Sequence, residues 1–181
     1  MQVPSEKIIE QTINWIKSVV IDCNFCPFAA SAILKKNIRY HVVHEITLKE
    51  SLTLLKQELI YLDAHSDIET SFIIFAQDFS DFGDYLNLIE KSEQLLYKEN
   101  YEGIYQIASF HPNYCFADAD DDDAANYTNR SIYPMIHILR EDSLTKAISL
   151  YPNAEQIPEH NIEFARKKGV QYMQMLRLAC L

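Results

Sequence analysis

FHPNYCFADADDDDAANYTNRSIYPMIHILRE, residues 110–141, joins two strand-like runs through 23 residues that have neither helical nor strand periodicity. A connection that long inside a compact domain is usually functional or disordered. This one leaves a strand at His111-Pro112, carries aspartates at 118, 120, 121, 122 and 123, and closes on Asn126, Asn129 and Arg130 before a strand holding His137 and Arg140. Fully extended, 23 residues reach on the order of 75 Å, so the last strand can run either way. If it is antiparallel to its predecessor, Arg130 enters beside His111, while Arg140 lies roughly 20 Å away along the strand. If it is parallel, Arg140 and Glu141 join His111 at one edge.

The flanking pattern supplies the rest of the fold. Apolar residues at 8, 9, 13, 16, 19 and 20, with Thr12 among them, follow the helical period beside Trp15 and predict an amphipathic first helix. Pro27 predicts a second helix over 27–36, which puts Cys26 at or beside its N-cap. Strands are expected at 39–46, 70–77, 104–110 and 135–140, and helices at 48–65, 82–99, 141–150 and 156–178. Strand and helix alternate through the first three strands. The chain therefore reads as an α/β sandwich: one domain, 1–181, with a mixed sheet of about four strands and helical N- and C-termini. At 181 residues and 48% hydrophobic content it can bury one sizeable core.

Net charge −10, from 26 acidic and 16 basic residues, argues against a nucleic-acid partner, which needs a basic stripe. No apolar run approaches the roughly 20 residues of a membrane helix, and MQVPSEKIIEQ lacks the layout of a secretion signal. A cytoplasmic protein with reduced cysteines is the expectation, and the Asn126-Tyr127-Thr128 sequon is then unused.

CPFA at 26–29, QIASFHPNY at 106–114, NYTNRSIYPMIHILRE at 126–141 and Glu159-His160-Asn161 together resemble the mainly bacterial family called domain of unknown function 1415. The resemblance spans nearly the whole chain. It implies a single-domain soluble protein, carries no activity, cofactor or partner with it, and draws attention to Cys26, His111, Asn126, Arg130, His137, Arg140 and Glu141. Cys23 and Cys115 depart from the family pattern, which weighs against a function needing every cysteine.

Chemically, the imidazole and guanidinium set stands out. Arginine offers a fork for carboxylate or phosphate, and histidine exchanges a proton near neutral pH. One reading is therefore a small enzyme or binder for an anionic metabolite, with His111 as acid or base and Cys26 as nucleophile. Asn126, Arg130, His137, Arg140 and Glu141 would contact the ligand. The bland alternative is an internal polar network, with Cys26 and His137 packed in the core. A non-catalytic interaction module is a second class, using the acidic loop with Tyr114, Phe116, Tyr127 and Tyr133.

A zinc site from Cys23, Cys26, His111 and Cys115 has plausible spacing but no second CxxC. Calcium fits poorly, since Asp123 stands where an EF-hand loop needs glycine and Asn129 where it needs glutamate. His41 and His44 fall on opposite faces of the first strand, and His65 and His160 near helix ends. The apolar 156–178 helix packs on the sheet or mediates a homo-oligomer.

Overall fold

The computed structural model describes residues 2–181. Four strands, β1 (Ile38–Val43), β2 (Thr70–Phe75), β3 (Tyr105–Phe110) and β4 (Met135–Arg140), form one mixed sheet in the order β1-β2-β4-β3. β1 and β2 are parallel, whereas β4 runs antiparallel to both β2 and β3. The first three strands thus point one way, as an alternating strand-helix sequence dictates, and β4 enters between two of them in reverse. The α/β sandwich with a mixed sheet is what the chain adopts.

Helices cover both sheet faces because side chains alternate along each strand. Ile73, Phe75, Ile136 and Ile138 face α3 (Leu48–Ala64) and α4 (Phe82–Lys98), forming a core with Leu55, Leu59, Tyr85 and Leu88. Phe72, Ile74 and Met135 point the other way, toward α1 (Ser5–Trp15), α6 (Ile157–Lys168) and α7 (Val170–Leu178). α3 starts where the sequence says it should: Thr47 and Glu50 form a reciprocal capping box. Asp81 caps α4 by accepting the Asp84 N–H. α2 (Ala29–Lys35) and α5 (Glu141–Leu150) contribute no fully buried residue.

Three local departures from the sequence expectation matter. α1 does not stop as an α-helix but widens into a π turn, Ile16–Ile21, with Phe25 N–H donating to Val20 O five residues back. α2 begins at Ala29 rather than Pro27, so Cys26 precedes the helix instead of capping it. The C-terminal helix is broken at Gly169, whose φ of +81° is open to glycine and disfavoured for other residues. Two helices result where one was expected, and α7 turns back under the long loop.

β4's direction sets the site. Phe110 pairs with Met135 and Tyr105 with Arg140, five residues apart along the ladder, about 17 Å. Arg140 and Glu141 are therefore at the far end of the sheet from His111. Tyr85, fully buried, closes the near end: its hydroxyl donates to Met135 O at 2.7 Å and accepts the Phe110 N–H at 2.8 Å.

Candidate functional site

The long loop is folded around its own polar residues. Asn126 is completely buried in a short 3₁₀ turn, Ala124–Thr128. Its Oδ1 accepts the Phe116 N–H at 3.0 Å and its Nδ2 donates to Asp120 O at 2.9 Å. A side-chain amide thus replaces the backbone ladder the loop lacks. Arg130, also buried, donates from Nε to Tyr114 O and from Nη2 to both the backbone oxygen and the carboxylate of Asp121, all at 2.8–2.9 Å. Arg177 reaches in from α7 to Pro112 O at 2.7 Å. Among the acidic residues, Asp123 pairs with Arg166 of α6 at 2.7 Å.

His111 sits at the other root, with no exposure to solvent. Nε2 lies 2.9 Å from Phe79 O and Nδ1 accepts the Asn113 N–H at 3.0 Å. Those partners require the neutral tautomer with its proton on Nε2. Burial lowers the pKa, the Phe79 carbonyl and Asp81 oppose that, and Arg177 adds to it. Both nitrogens are committed, so the ring has no position left for a substrate proton.

The other sequence candidates are similarly engaged. His137 stacks on Phe72, ring centroids 3.9 Å apart and planes 5° apart. Its Nε2 is 2.7 Å from Thr70 Oγ1, whose own proton goes to Ile138 O. Burial pushes its pKa down to about 3. Arg140 donates to Leu62 O, His65 O and Ile68 O, satisfying carbonyls at and beyond the C-terminus of α3, and to the Tyr105 hydroxyl. Glu141 begins α5, its N–H bound to Ile104 O. Neither joins His111 or Arg130.

The proposed zinc ligands are not gathered either. Cys23 is directed to Ser18 O and Cys115 to Phe116 O and Ala119 O. Among the described residues, no three His, Cys, Asp or Glu side chains come close enough to hold a metal ion. The loop aromatics are used internally as well: Tyr127 is buried, Tyr133 donates to Gln11, and Tyr114 packs on Phe82 and Phe116.

Beside this saturated region lies an open one. A cleft of about 300 Å³ runs between the π turn, the end of β3, the loop and the start of α6. Its apolar wall includes Val20, Phe25, Phe110, Phe116 and Ile162, and its polar groups are Cys26, Thr128, Asn129 and Asn161. The π turn creates the near wall, because Cys26 N–H also returns to Val20 O, at 3.3 Å. Burial raises the Cys26 pKa, against the opposing pull of the Phe28 and Ala29 amides on its sulfur. The group is thus a thiol at neutral pH rather than a thiolate.

Two amides line this cleft. Asn129 donates from Nδ2 to Ser109 O at 3.1 Å, and Asn161 from Nδ2 to Phe25 O at 2.8 Å. Sequence reasoning had noticed both asparagines but gave Asn129 only the job of closing the loop and Asn161 none. The signal that would have found them was the set of four motif blocks: CPFA, FHP and EHN contribute the wall residues Cys26, Phe110 and Asn161, and NYTNR contributes Thr128 and Asn129.

The chain matches no curated protein and no solved structure. One family model, described as a protein of unknown function (DUF1415), matches residues 7–175. A match over that length of a 181-residue chain leaves no segment of the sheet or the cleft outside it, and the chain belongs to the DUF1415 family.

Proposed function

We propose that the protein binds a small uncharged metabolite in the cleft bounded by Cys26, Asn129 and Asn161. One observation carries the reading: the cleft wall is aromatic and aliphatic, and all its polar groups are neutral. About 300 Å³ is the lower end of the range for small-molecule sites, about 300 to 1,000 Å³, and an apolar lining with a few fixed polar groups is their usual composition.

This departs from the anionic ligand that the sequence suggested. Arg130 donates to Tyr114 O and Asp121, Arg166 pairs with Asp123, Arg177 binds Pro112 O, and none of the three lines the cleft. An anion in the cleft would find no fork to accept it. Binding is also better supported than cysteine catalysis. None of the lining residues is a histidine, aspartate or glutamate that could take the Cys26 proton.

The test is a methyl-labelled NMR titration with a panel of uncharged single-ring fragments, with inorganic phosphate as competitor. Saturable shifts at Val20 and Ile162, undisturbed by phosphate and abolished by Ile162→Trp, are expected. Absence of saturable shifts there, or displacement by phosphate, overturns the reading.

A further inference from the structure

We infer that the occupant of the cleft is a flat ring carrying a carboxamide-type edge, a C=O acceptor next to an N–H donor, as in an aromatic amide or a lactam-form nucleobase. This rests on the cleft being the binding site proposed above and adds the class of ligand.

The inference comes from what the two asparagines have left over. A carboxamide has two N–H donors and an oxygen with two lone pairs. Asn161 spends one N–H on Phe25 O, and among the described residues its Oδ1 has no protein partner. Asn129 spends one N–H on Ser109 O. Its Oδ1 lies 3.0 Å from Thr128 Oγ1, whose single proton is also 2.9 Å from Ala125 O, so at least one lone pair stays free. Each amide is therefore oriented by a backbone carbonyl and keeps one N–H and an acceptor.

That leftover pattern is self-complementary to an amide edge. It is the same chemistry by which asparagine reads the donor–acceptor edge of a base through two parallel hydrogen bonds. The lining suits a ring: Phe25, Phe110 and Phe116 all contribute to the wall, and aromatic faces pair favourably in offset or edge-on contact. Among the described residues no cation lines the cleft, so the phosphate of a nucleotide would go unpaired. The free base or carboxamide fits where the nucleotide does not.

A purely architectural role would have the same two asparagines tether α6 to the Phe25 turn and the loop to β3, with their remaining atoms facing water. The two accounts differ in ligand discrimination. Benzamide, acetophenone and ethylbenzene have nearly the same shape and present, respectively, acceptor plus donor, acceptor alone, and neither. Affinities would be measured on the unaltered chain through the Val20 and Ile162 methyl signals, so the comparison does not depend on a variant folding.

Benzamide is expected to bind at least about tenfold more tightly than acetophenone, since a site with polar groups poised for a partner rejects the analogue that leaves them unpaired. Asn161→Leu should remove most of that preference while leaving ethylbenzene within about twofold. Equal affinity for all three compounds overturns the amide edge and leaves the cleft reading standing. Binding of none of them, with no other uncharged fragment bound, overturns both. Preference for 2-pyridone over benzamide would favour the lactam ring as the source of the edge.

Discussion

The loop roots and the cleft meet at Asn129, yet they use polar groups in opposite ways. At the roots, His111, Asn126 and Arg130 are buried, the polar atoms of His111 and Asn126 are matched by backbone groups, and Arg130 is held by Tyr114 O and Asp121. In the cleft, Asn129, Asn161 and Cys26 are half-buried and only partly matched. Density of polar residues in the sequence marks the first region, whereas unspent hydrogen-bonding capacity marks the second. A saturated network holds a loop in one shape, and only groups with capacity to spare can recognise something else.

The sharpest way to break this contrast is at Asn126. Asn126→Ala leaves the Phe116 N–H and the Asp120 carbonyl without their partner inside the protein. An orphaned buried group costs about 1 to 3 kcal/mol, and removing the completely buried Asn126 amide also leaves a void, so a loss of about 3 kcal/mol is expected in urea denaturation. Stability unchanged to within about 0.5 kcal/mol would mean that the root residues are not scaffold. They would then return as candidates for ligand contact.

A second saturated group, on the opposite sheet face, extends the test to pH. Glu58 of α3 is 2% exposed and receives His41 Nδ1, Arg39 Nε and Nη2, and Ser71 Oγ at 2.8–3.2 Å. Burial opposes its ionisation, but these donors prevail and hold its carboxyl at about 2, below the ordinary 4.5. A depressed carboxyl stabilises the fold fully above pH 4.5 and loses that contribution as pH falls toward 2. Glu58→Gln should flatten this acid limb and cost about 2 kcal/mol at pH 7. That figure is discounted because Arg39 and His41 are each one-third open to water. An unaltered acid limb in the variant would contradict a structural role for the cluster.

His137 acts in a different window. The unfolded chain takes up a proton below the ordinary value of 6.5, whereas the half-buried, stacked ring resists it down to about 3. Stability is therefore complete above pH 6.5 and declines as pH falls from 6.5 to 3. Within that window the limiting slope is about 1.4 kcal/mol per pH unit. His137→Phe, which preserves the stack on Phe72, should remove up to one proton's worth of slope between pH 6 and pH 4.5, and the Glu58 contribution, common to both proteins, cancels in the comparison. If slopes in the two proteins match, His137 is protonated in the fold and available for chemistry.

These residues also show how far the sequence could be read. Hydrophobic patterning located every strand and most helices, because a signal such as the apolar run in TSFIIF acts locally. β4's direction was open, since it depends on how a 23-residue loop folds around Asn126 and Arg130 rather than on any local pattern. The π turn after Trp15 was hidden for the same reason: IKSVVI has a helical period, and widening by one residue is imposed by Phe25 and Cys26 packing back on Val20. At the site, residue type identified groups that can hydrogen-bond. Whether they still have capacity to do so is a property of the folded loop, which is why His111 and Arg130 looked functional and Asn161 was given no role.

The conspicuous aspartates give the smallest expected effect and the cleanest separation of composition from role. Asp118, Asp120 and Asp122 are exposed, while the neighbouring Asp121 and Asp123 pair with Arg130 and Arg166. The loop's internal bonds to this run use backbone oxygens, as when Asn126 holds Asp120 O. Converting Asp118, Asp120 and Asp122 to asparagine keeps those oxygens and lowers repulsion among like charges that water and salt already screen. Thermal unfolding at low and at moderate salt should therefore shift by no more than about 0.5 kcal/mol equivalent, slightly toward stability at low salt. Fragment binding in the cleft should be unchanged. A large loss of either would show that the acidic tip, and not its buried roots, sets the loop's shape, since in that case side-chain carboxylates rather than backbone carbonyls would be the anchoring atoms.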